Sequence, residues 1–273
     1  MEWSYLTLGL VQGATEFLPV SSSGHLLLFE HVLNPDLDAN SSLFLNVMLH
    51  MGTLLAVVLF FRGFLLTYLR EAVAWIKNPQ VKLNETQREI LWIIVLSLPT
   101  ALIGLGLKKL GIGEMKSEGV LIALAITGLF CIFTDFLPIR DQKLNFWRSL
   151  LLGITQGLAV VPGISRSGST IFVGILSGIS REKMASFSFL MSIPAVGGAF
   201  LLEMWGAKGI ELRAINSISL IAGMAVAFVS GYLALTVLMR VLKSRYFRIF
   251  GFYCFGLSVF GNSIIEWAGS HLG

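Results

Sequence analysis

The nonapeptide P-G-I-S-R-S-G-S-T, residues 162–170, sets one charged side chain, Arg166, inside an apolar stretch that otherwise runs from Leu150 to Ile179. A charge at membrane depth costs about 2.5–3.5 kcal/mol even on lenient insertion scales, so it faces a partner or a wet cavity and marks a functional site. Ser165, Ser167, Ser169 and Thr170 surround the arginine with hydroxyls, and Gly163 and Gly168 let the backbone turn its N–H groups toward an anion. The stretch reads as an oxyanion seat in a broken helix. Irregular backbone of that kind is tolerated at membrane depth only where protein or a water-filled cavity surrounds it.

Composition places the stretch in a membrane. The chain has 273 residues, of which 55% are hydrophobic and 13% charged, with a mean hydropathy of +0.78. These values lie outside the soluble globular range and indicate one integral membrane domain, residues 1–273, with no soluble domain. The first residues carry no basic segment and no small-residue cleavage site before the polar break at Ser21, so no removable signal peptide is expected. Cys131 and Cys254 sit within apolar runs and imply neither a disulfide framework nor a metal site. The formal charge of +4 does not point to nucleic acid, because the basic residues fall in loops between spans.

A second break precedes the first in the chain. Residues Trp3 to Phe29 are apolar enough to span, but Glu16, Pro19 and the run Ser21, Ser22, Ser23, Gly24, His25 interrupt them. The two pieces, roughly 24 Å and 15 Å long as helices, each fall short of a hydrocarbon core of about 30 Å. A re-entrant helical hairpin with an irregular tip is the expected result. The link from Asn34 to Ser42, with Pro35, Asp36 and Asp38, should lie at a surface.

Full-length spans are expected at 43–61, 90–107, 118–137, 184–204, 216–239 and 249–268, with residues 64–76 lying along an interface. Loops 62–89, 138–148, 181–183 and 240–248 hold 14 of the 20 lysines and arginines, and loops 108–117 and 204–215 hold 5; Arg166 is the remaining one. This distribution obeys the positive-inside rule only if both broken segments return to the side they came from, leaving both termini outside. The expected fold is therefore all-α and polytopic, with about six transmembrane helices plus two re-entrant hairpins.

A shift of 144 residues aligns Gln12 and Gly13 with Gln156 and Gly157, and Ser21, Ser23 and Gly24 with Ser165, Ser167 and Gly168. Each half, about 1–137 and 149–273, then holds one hairpin followed by three spans. One half starts outside and the other inside, so the two form inverted-topology repeats, an arrangement that brings the broken tips together near the midplane. Glu16, Ser21, Ser22, Ser23 and His25 would then face Ser165, Arg166, Ser167 and Thr170 across one pocket. Such a set suits phosphoryl transfer. Arg166 supplies a planar, bidentate cation for phosphate oxygens, and broken-helix N-termini add N–H groups. Ser22, aligned with Arg166, is the best-placed nucleophile, with a bound water as its competitor. Glu16 and His25 share the proton handling, or Glu16 holds a divalent cation while His25 activates the hydroxyl or protonates the leaving oxygen.

Gln12 to His25, Q-G-A-T-E-F-L-P-V-S-S-S-G-H, resembles the [E/Q]-x-x-x-E motif and following P-V-S-S-x-G-H of the bacterial undecaprenyl-diphosphatase, or bacitracin-resistance, family, and Pro162 to Thr170 resembles its P-G-x-S-R-S-x-x-T motif. The resemblance covers essentially the whole chain. It implies a multi-pass enzyme of the bacterial cytoplasmic (inner) membrane that hydrolyses undecaprenyl diphosphate to the monophosphate carrier of peptidoglycan synthesis. The active site would face the periplasm or cell exterior. It implies Glu16, Ser22, His25 and Arg166 as active-site residues, with Gln12, Ser21, Ser23, Ser165, Ser167 and Thr170 lining the pocket. It also implies a need for Mg²⁺ or Ca²⁺, for which Glu16 and Gln12 are the candidate ligands; Gln12 stands where many members have glutamate, leaving a neutral group there. The expected partners are the lipid substrate and the phospholipid bilayer, with no nucleic acid, and a homodimer is compatible with the sequence.

The rival class is a transporter or flippase of a polyprenyl phosphate lipid, since inverted halves with broken helices are also a transporter architecture. The conjunction of Glu16, Ser22, His25 and Arg166 favours hydrolysis, because a carrier needs the cation but not the acid–base pair. His50, inside a span, reads either as lining the cavity or as bonding a neighbouring helix. Glu30 and Asp135, near span boundaries, read as wet.

Overall fold

The computed structural model describes residues 3–33, 39–78, 82–112, 115–138, 140–206, 216–244 and 246–272. Its helices are α1 (Trp3–Phe17), α2 (Ser22–Leu33), α3 (Ala39–Phe60), α4 (Arg62–Lys77), α5 (Glu85–Lys109), α6 (Ser117–Thr134), α7 (Phe146–Leu158), α8 (Arg166–Leu176), α9 (Arg181–Leu190), α10 (Ser192–Gly206), α11 (Ser217–Ser244) and α12 (Arg248–Leu272). Among the described residues there is no strand. Most of the expected link between the first hairpin and α3, and of the loop after α10, lies outside the described residues.

Among the described residues, the helical stretches Ser42–Phe60, Glu85–Lys109, Ser117–Thr134, Arg181–Leu202 and Ser217–Leu242 are long and apolar enough to cross a membrane. They match five of the expected spans. The sixth, 249–268, falls on α12, whose side chains beyond Ser263 lie outside the described residues. The outward faces are apolar, as lipid contact demands: α5 exposes Ile94, Leu98, Leu102 and Leu105, and α11 exposes Ile221, Val229, Leu233 and Val237. α4, the expected interfacial stretch, buries no residue fully. The stretch expected as a single span over 184–204 is bent at Met191. Pro194 offers no N–H to the turn before it, and Gln156 Nε2 donates to the carbonyl of Met191 at 3.3 Å.

The hairpins break where sequence chemistry forbids a continuous helix. α1 ends before Pro19, and Ser21 takes a left-handed φ of 68° rarely held by a residue with a Cβ. α7 ends before Pro162, and Gly163 turns the chain with φ 94°. Ser165 then caps α8, accepting from the N–H of Gly168 at 3.1 Å. Each short arm lies flat against a long span. α1 packs on α11 and α7 on α5, while α2 and α8 lean on α12 and α6. At Gly9 an added Cβ would collide with the carbonyl of Gly223, and at Gly153 with that of Leu96. Both arms therefore approach their spans closer than any side chain would allow.

Among the described residues, three buried clusters fill the interior. The largest holds Phe17, Phe61 and Phe189, with Phe17 edge-on to Phe189 at 5.7 Å and Phe61 stacked on it at 6.1 Å. Asp135, expected to be wet, is half-buried with its side chain only 6% exposed: it pairs with Arg181 at 3.1 Å and accepts from the Arg248 N–H at 2.9 Å, tying the ends of α6, α9 and α12. One carboxylate there serves both the Arg181 guanidinium and a free N–H at the start of α12. Glu30 is half-buried and accepts from the Ser42 hydroxyl at 2.8 Å.

Candidate active site

The two broken tips touch. The Ser21 hydroxyl accepts the N–H of Gly163 at 3.1 Å, and the Ser167 hydroxyl donates to the carbonyl of Leu18 at 3.4 Å. Behind them, Thr127 of α6 donates to the carbonyl of Gly163 at 2.8 Å and accepts from the Ser165 N–H at 2.9 Å. The Cys131 thiol donates to the carbonyl of Pro19 at 3.3 Å. Carbonyls and amides freed by the breaks thus find side-chain partners, which backbone buried at this depth requires.

Across this contact Arg166 Nη2 bonds directly to Glu16 Oε1, although the two residues are 150 positions apart. Their side chains are 16% and 6% exposed, so the pair is shielded from bulk water. The second carboxylate oxygen, Oε2, accepts from the Ser22 hydroxyl at 2.6 Å and from Gln12 Nε2 at 3.0 Å. His50 Nε2 lies 3.5 Å from the same oxygen, while its Nδ1 contacts the carbonyl of Asn46 at 2.7 Å. Gln12 Nε2 also reaches Thr53 Oγ1 at 3.4 Å. One buried carboxylate is therefore held by a cation on one side and faces a hydroxyl on the other. A carboxylate against a hydroxyl is an arrangement that can serve as proton acceptor and nucleophile.

Two polar atoms here have no protein partner, Arg166 Nη1 and Gln12 Oε1. An unsatisfied buried group costs about 1–3 kcal/mol, more if charged, so each calls for a ligand. The guanidinium nitrogen asks for an anionic oxygen and the amide oxygen for a cation or a proton donor. Both α2 and α8 begin at this point, at Ser22 and Arg166, so the positive ends of two helix dipoles converge on it.

Of the residues singled out in the sequence, Gln12, Glu16, Ser22 and Arg166 share one cluster. Ser23 is half-buried beside Ser21, their hydroxyls 3.4 Å apart. Ser165, Ser167 and Thr170 are buried and engaged inside the protein, Thr170 with the carbonyl of Arg166 at 2.8 Å and with Ser188 at 2.7 Å. His25 is 3% exposed and points away from Glu16, its Nδ1 against the carbonyl of Ser21 at 2.8 Å and its Nε2 against the Tyr253 hydroxyl at 2.7 Å. His50, read either as lining the cavity or as bonding a neighbouring helix, reaches from α3 to the Glu16 carboxylate on α1. It continues a polar stripe of Ser42 and Asn46 at four-residue spacing on α3, a signal visible in the sequence. Thr127 and Tyr253 carried no such signal, being lone polar residues in apolar helices.

For a divalent cation the oxygens present are the Glu16 carboxylate, Gln12 Oε1 and the Ser22 hydroxyl; among the described residues no group of three His, Cys, Asp or Glu gathers anywhere. One carboxylate plus neutral oxygens is a set that fits Mg²⁺ or Ca²⁺ when a phosphate ligand completes the shell. The unpartnered Gln12 Oε1 is the observation that supports it. A cavity of about 530 Å³, lined by Phe61, Tyr68, Glu89, Trp92 and Lys183 among others, opens on the side of the basic loops and includes neither Glu16 nor Arg166.

Residues 5–260 match the family described as bacitracin resistance protein BacA. A protein of Desulfosudis oleivorans named undecaprenyl-diphosphatase is 38% identical over 260 residues, covering 92% of this chain and 93% of that protein. A Syntrophotalea carbinolica protein of the same name is 38% identical over 91% of this chain and 93% of its own length. One from Bacillus cereus, named undecaprenyl-diphosphatase 4, is 35% identical over 95% of this chain and 96% of its own.

Proposed function

Because the chain belongs to the bacitracin resistance protein BacA family, we propose that it removes the terminal phosphate from undecaprenyl diphosphate at the cluster of Glu16, Ser22 and Arg166. The relatives that carry the diphosphatase name match nearly the whole chain. The observation that carries the assignment to this site is the single Glu16 carboxylate, bonded to the Arg166 guanidinium through one oxygen and to the Ser22 hydroxyl through the other. A carrier would need the cation but no proton acceptor beside a hydroxyl, and nothing in the comparisons favours that reading.

The steps follow from those contacts. The terminal phosphate docks with one oxygen on Arg166 Nη1 and the others toward the α2 and α8 N-termini. Ser22 Oγ attacks the terminal phosphorus, its proton passes to Glu16 Oε2, and the bond from phosphorus to the bridging oxygen breaks. The lipid monophosphate leaves as an anion that needs no added proton. Water then attacks the phosphoserine; the bond from phosphorus to Ser22 Oγ breaks, Glu16 returns its proton to that oxygen, and the water's two protons leave on inorganic phosphate. Arg166 balances charge throughout, as a preorganised cation that need not move. Glu16 and Gln12 would hold Mg²⁺ or Ca²⁺, which when bound supplies further neutralisation of the diphosphate.

The chain is a multi-pass membrane protein, as its apolar spans and family membership require. The finer placement is our reading. The excess of lysine and arginine in loops 62–89, 138–148, 181–183 and 240–248 supports a cytoplasmic face there. The hairpin tips would then open to the periplasm or cell exterior, in the bacterial inner membrane. The exchange of partners between halves, α1 on α11 against α7 on α5, supports inverted repeats.

Phosphate release from the purified protein in detergent tests the site. The wild type should turn over a prenyl diphosphate, and Arg166→Ala, Glu16→Gln and a chelator should each abolish release. Activity surviving Arg166→Ala would refute the assignment.

A further inference from the structure

We propose that Tyr253, near the far end of the chain on α12, is a positioning residue for the reacting serine and acts through His25; this rests on Ser22 being the attacking hydroxyl. Ser21 holds a φ of 68°, a conformation that a residue with a Cβ seldom adopts. Such a backbone persists only where surrounding contacts fix it. The Ser21 side chain is fixed by the N–H of Gly163 at 3.1 Å. Its carbonyl is fixed by His25, through the backbone N–H at 3.2 Å and ring Nδ1 at 2.8 Å.

That carbonyl and the N–H of Ser22 share one rigid peptide plane. Rotating the carbonyl rotates the start of Ser22, and with it the hydroxyl 2.6 Å from Glu16. Whatever holds the His25 ring therefore holds the nucleophile. A ring nitrogen facing a carbonyl must carry the proton, so the neutral ring is left with Nε2 as an acceptor. The Tyr253 hydroxyl is 2.7 Å from that nitrogen and donates to it. The two rings are also nearly parallel, 10° apart with centroids at 5.6 Å. Tyr253 thereby selects the tautomer that grips Ser21. With both nitrogens engaged and the residue 3% exposed, His25 is placed to orient the loop, and the proton from Ser22 goes to Glu16.

The test is a set of kcat and KM values for farnesyl diphosphate hydrolysis by Tyr253→Phe, His25→Asn and the double variant, each with its melting temperature in detergent. Tyr253→Phe removes one hydroxyl and should lower kcat about tenfold, the cost of one buried hydrogen bond expressed on a rate, with KM unchanged. Its melting temperature should fall only slightly, so that the lost rate is not lost folded protein. His25→Asn keeps an amide N–H for the Ser21 carbonyl and should retain about as much activity as Tyr253→Phe. The double variant should be no slower than His25→Asn alone, because the tyrosine acts only through that ring. Wild-type kcat in Tyr253→Phe, or additive losses in the double variant, would overturn the proposal. So would His25→Asn as dead as Glu16→Gln, which would give the histidine a chemical step of its own. A wild type that releases no phosphate would overturn instead the reading of the site on which this stands.

Discussion

In the proposed reaction Glu16 does two things that pull apart, neutralising Arg166 and accepting a proton from Ser22, and its two oxygens contact those two residues separately. Arg166→Ala leaves that carboxylate buried with no counter-ion, which should destabilise the protein by about 3–5 kcal/mol and show as a lowered melting temperature alongside lost turnover. Arg166→Lys keeps the charge but loses the planar fork that spans Glu16 and a phosphate oxygen. Its phosphate release should fall on the order of 100-fold with the melting temperature near wild type. Gln12→Glu sets a second carboxylate against Glu16 Oε2, where the Gln12 amide now donates at 3.0 Å. Like charges in contact disfavour each other, and a divalent cation relieves them. An activity titration with Mg²⁺ or Ca²⁺ should then reach half-maximum at about tenfold lower metal in Gln12→Glu. A shift to higher metal would remove Gln12 from the ligand set. At this scale the sequence was informative because a charge in an apolar run must have a partner. Arg166 and Glu16 each announced one, whereas the Tyr253 hydroxyl, on a half-exposed aromatic, did not.

The broken helices owe their shape to proline and to close approach. Pro19 and Pro162 were visible as breakers, and the arms they end were legible as too short to cross. The direction in which each arm leans was not, because it depends on which long span's backbone the arm's own glycine meets. Gly9 against Gly223 and Gly153 against Leu96 are those contacts. Gly9→Ala should push α1 off α11 and separate Glu16 from Arg166. We expect a destabilisation of about 1–3 kcal/mol with lost turnover. Gly106→Ala, on α5 with nothing near its missing Cβ, should leave both unchanged and is the control. Thermal melting and phosphate release on the two variants decide whether close packing of the arm sets the site. The bend at Met191 was hidden for a related reason. Pro194 stands inside the span expected over 184–204, and Gln156, which takes up the Met191 carbonyl, is a partner only the folded chain reveals.

Across the whole molecule, the placement of basic loops is the strongest topological signal in the sequence, and under the positive-inside rule it calls for both hairpins to return to their own side. Cysteine labelling in intact cells checks it. Lys116→Cys should react with an impermeant maleimide from outside, and Lys143→Cys only after the membrane is opened. Cys131 and Cys254 are buried and should stay silent. The meeting of the two tips followed from the internal repeat, and the crossed packing of α1 on α11 and α7 on α5 accords with it. What joins them, the Thr127 hydroxyl between Gly163 and Ser165, comes from a span that carries no motif. In the proposed reaction Ser22 attacks phosphorus between Glu16 and Arg166. Protein quenched during turnover of a prenyl diphosphate and mapped by peptide mass spectrometry should carry phosphate on Ser22, and none in Glu16→Gln. Turnover at the wild-type rate by Ser22→Ala, with no phosphorylated peptide in either protein, would contradict it.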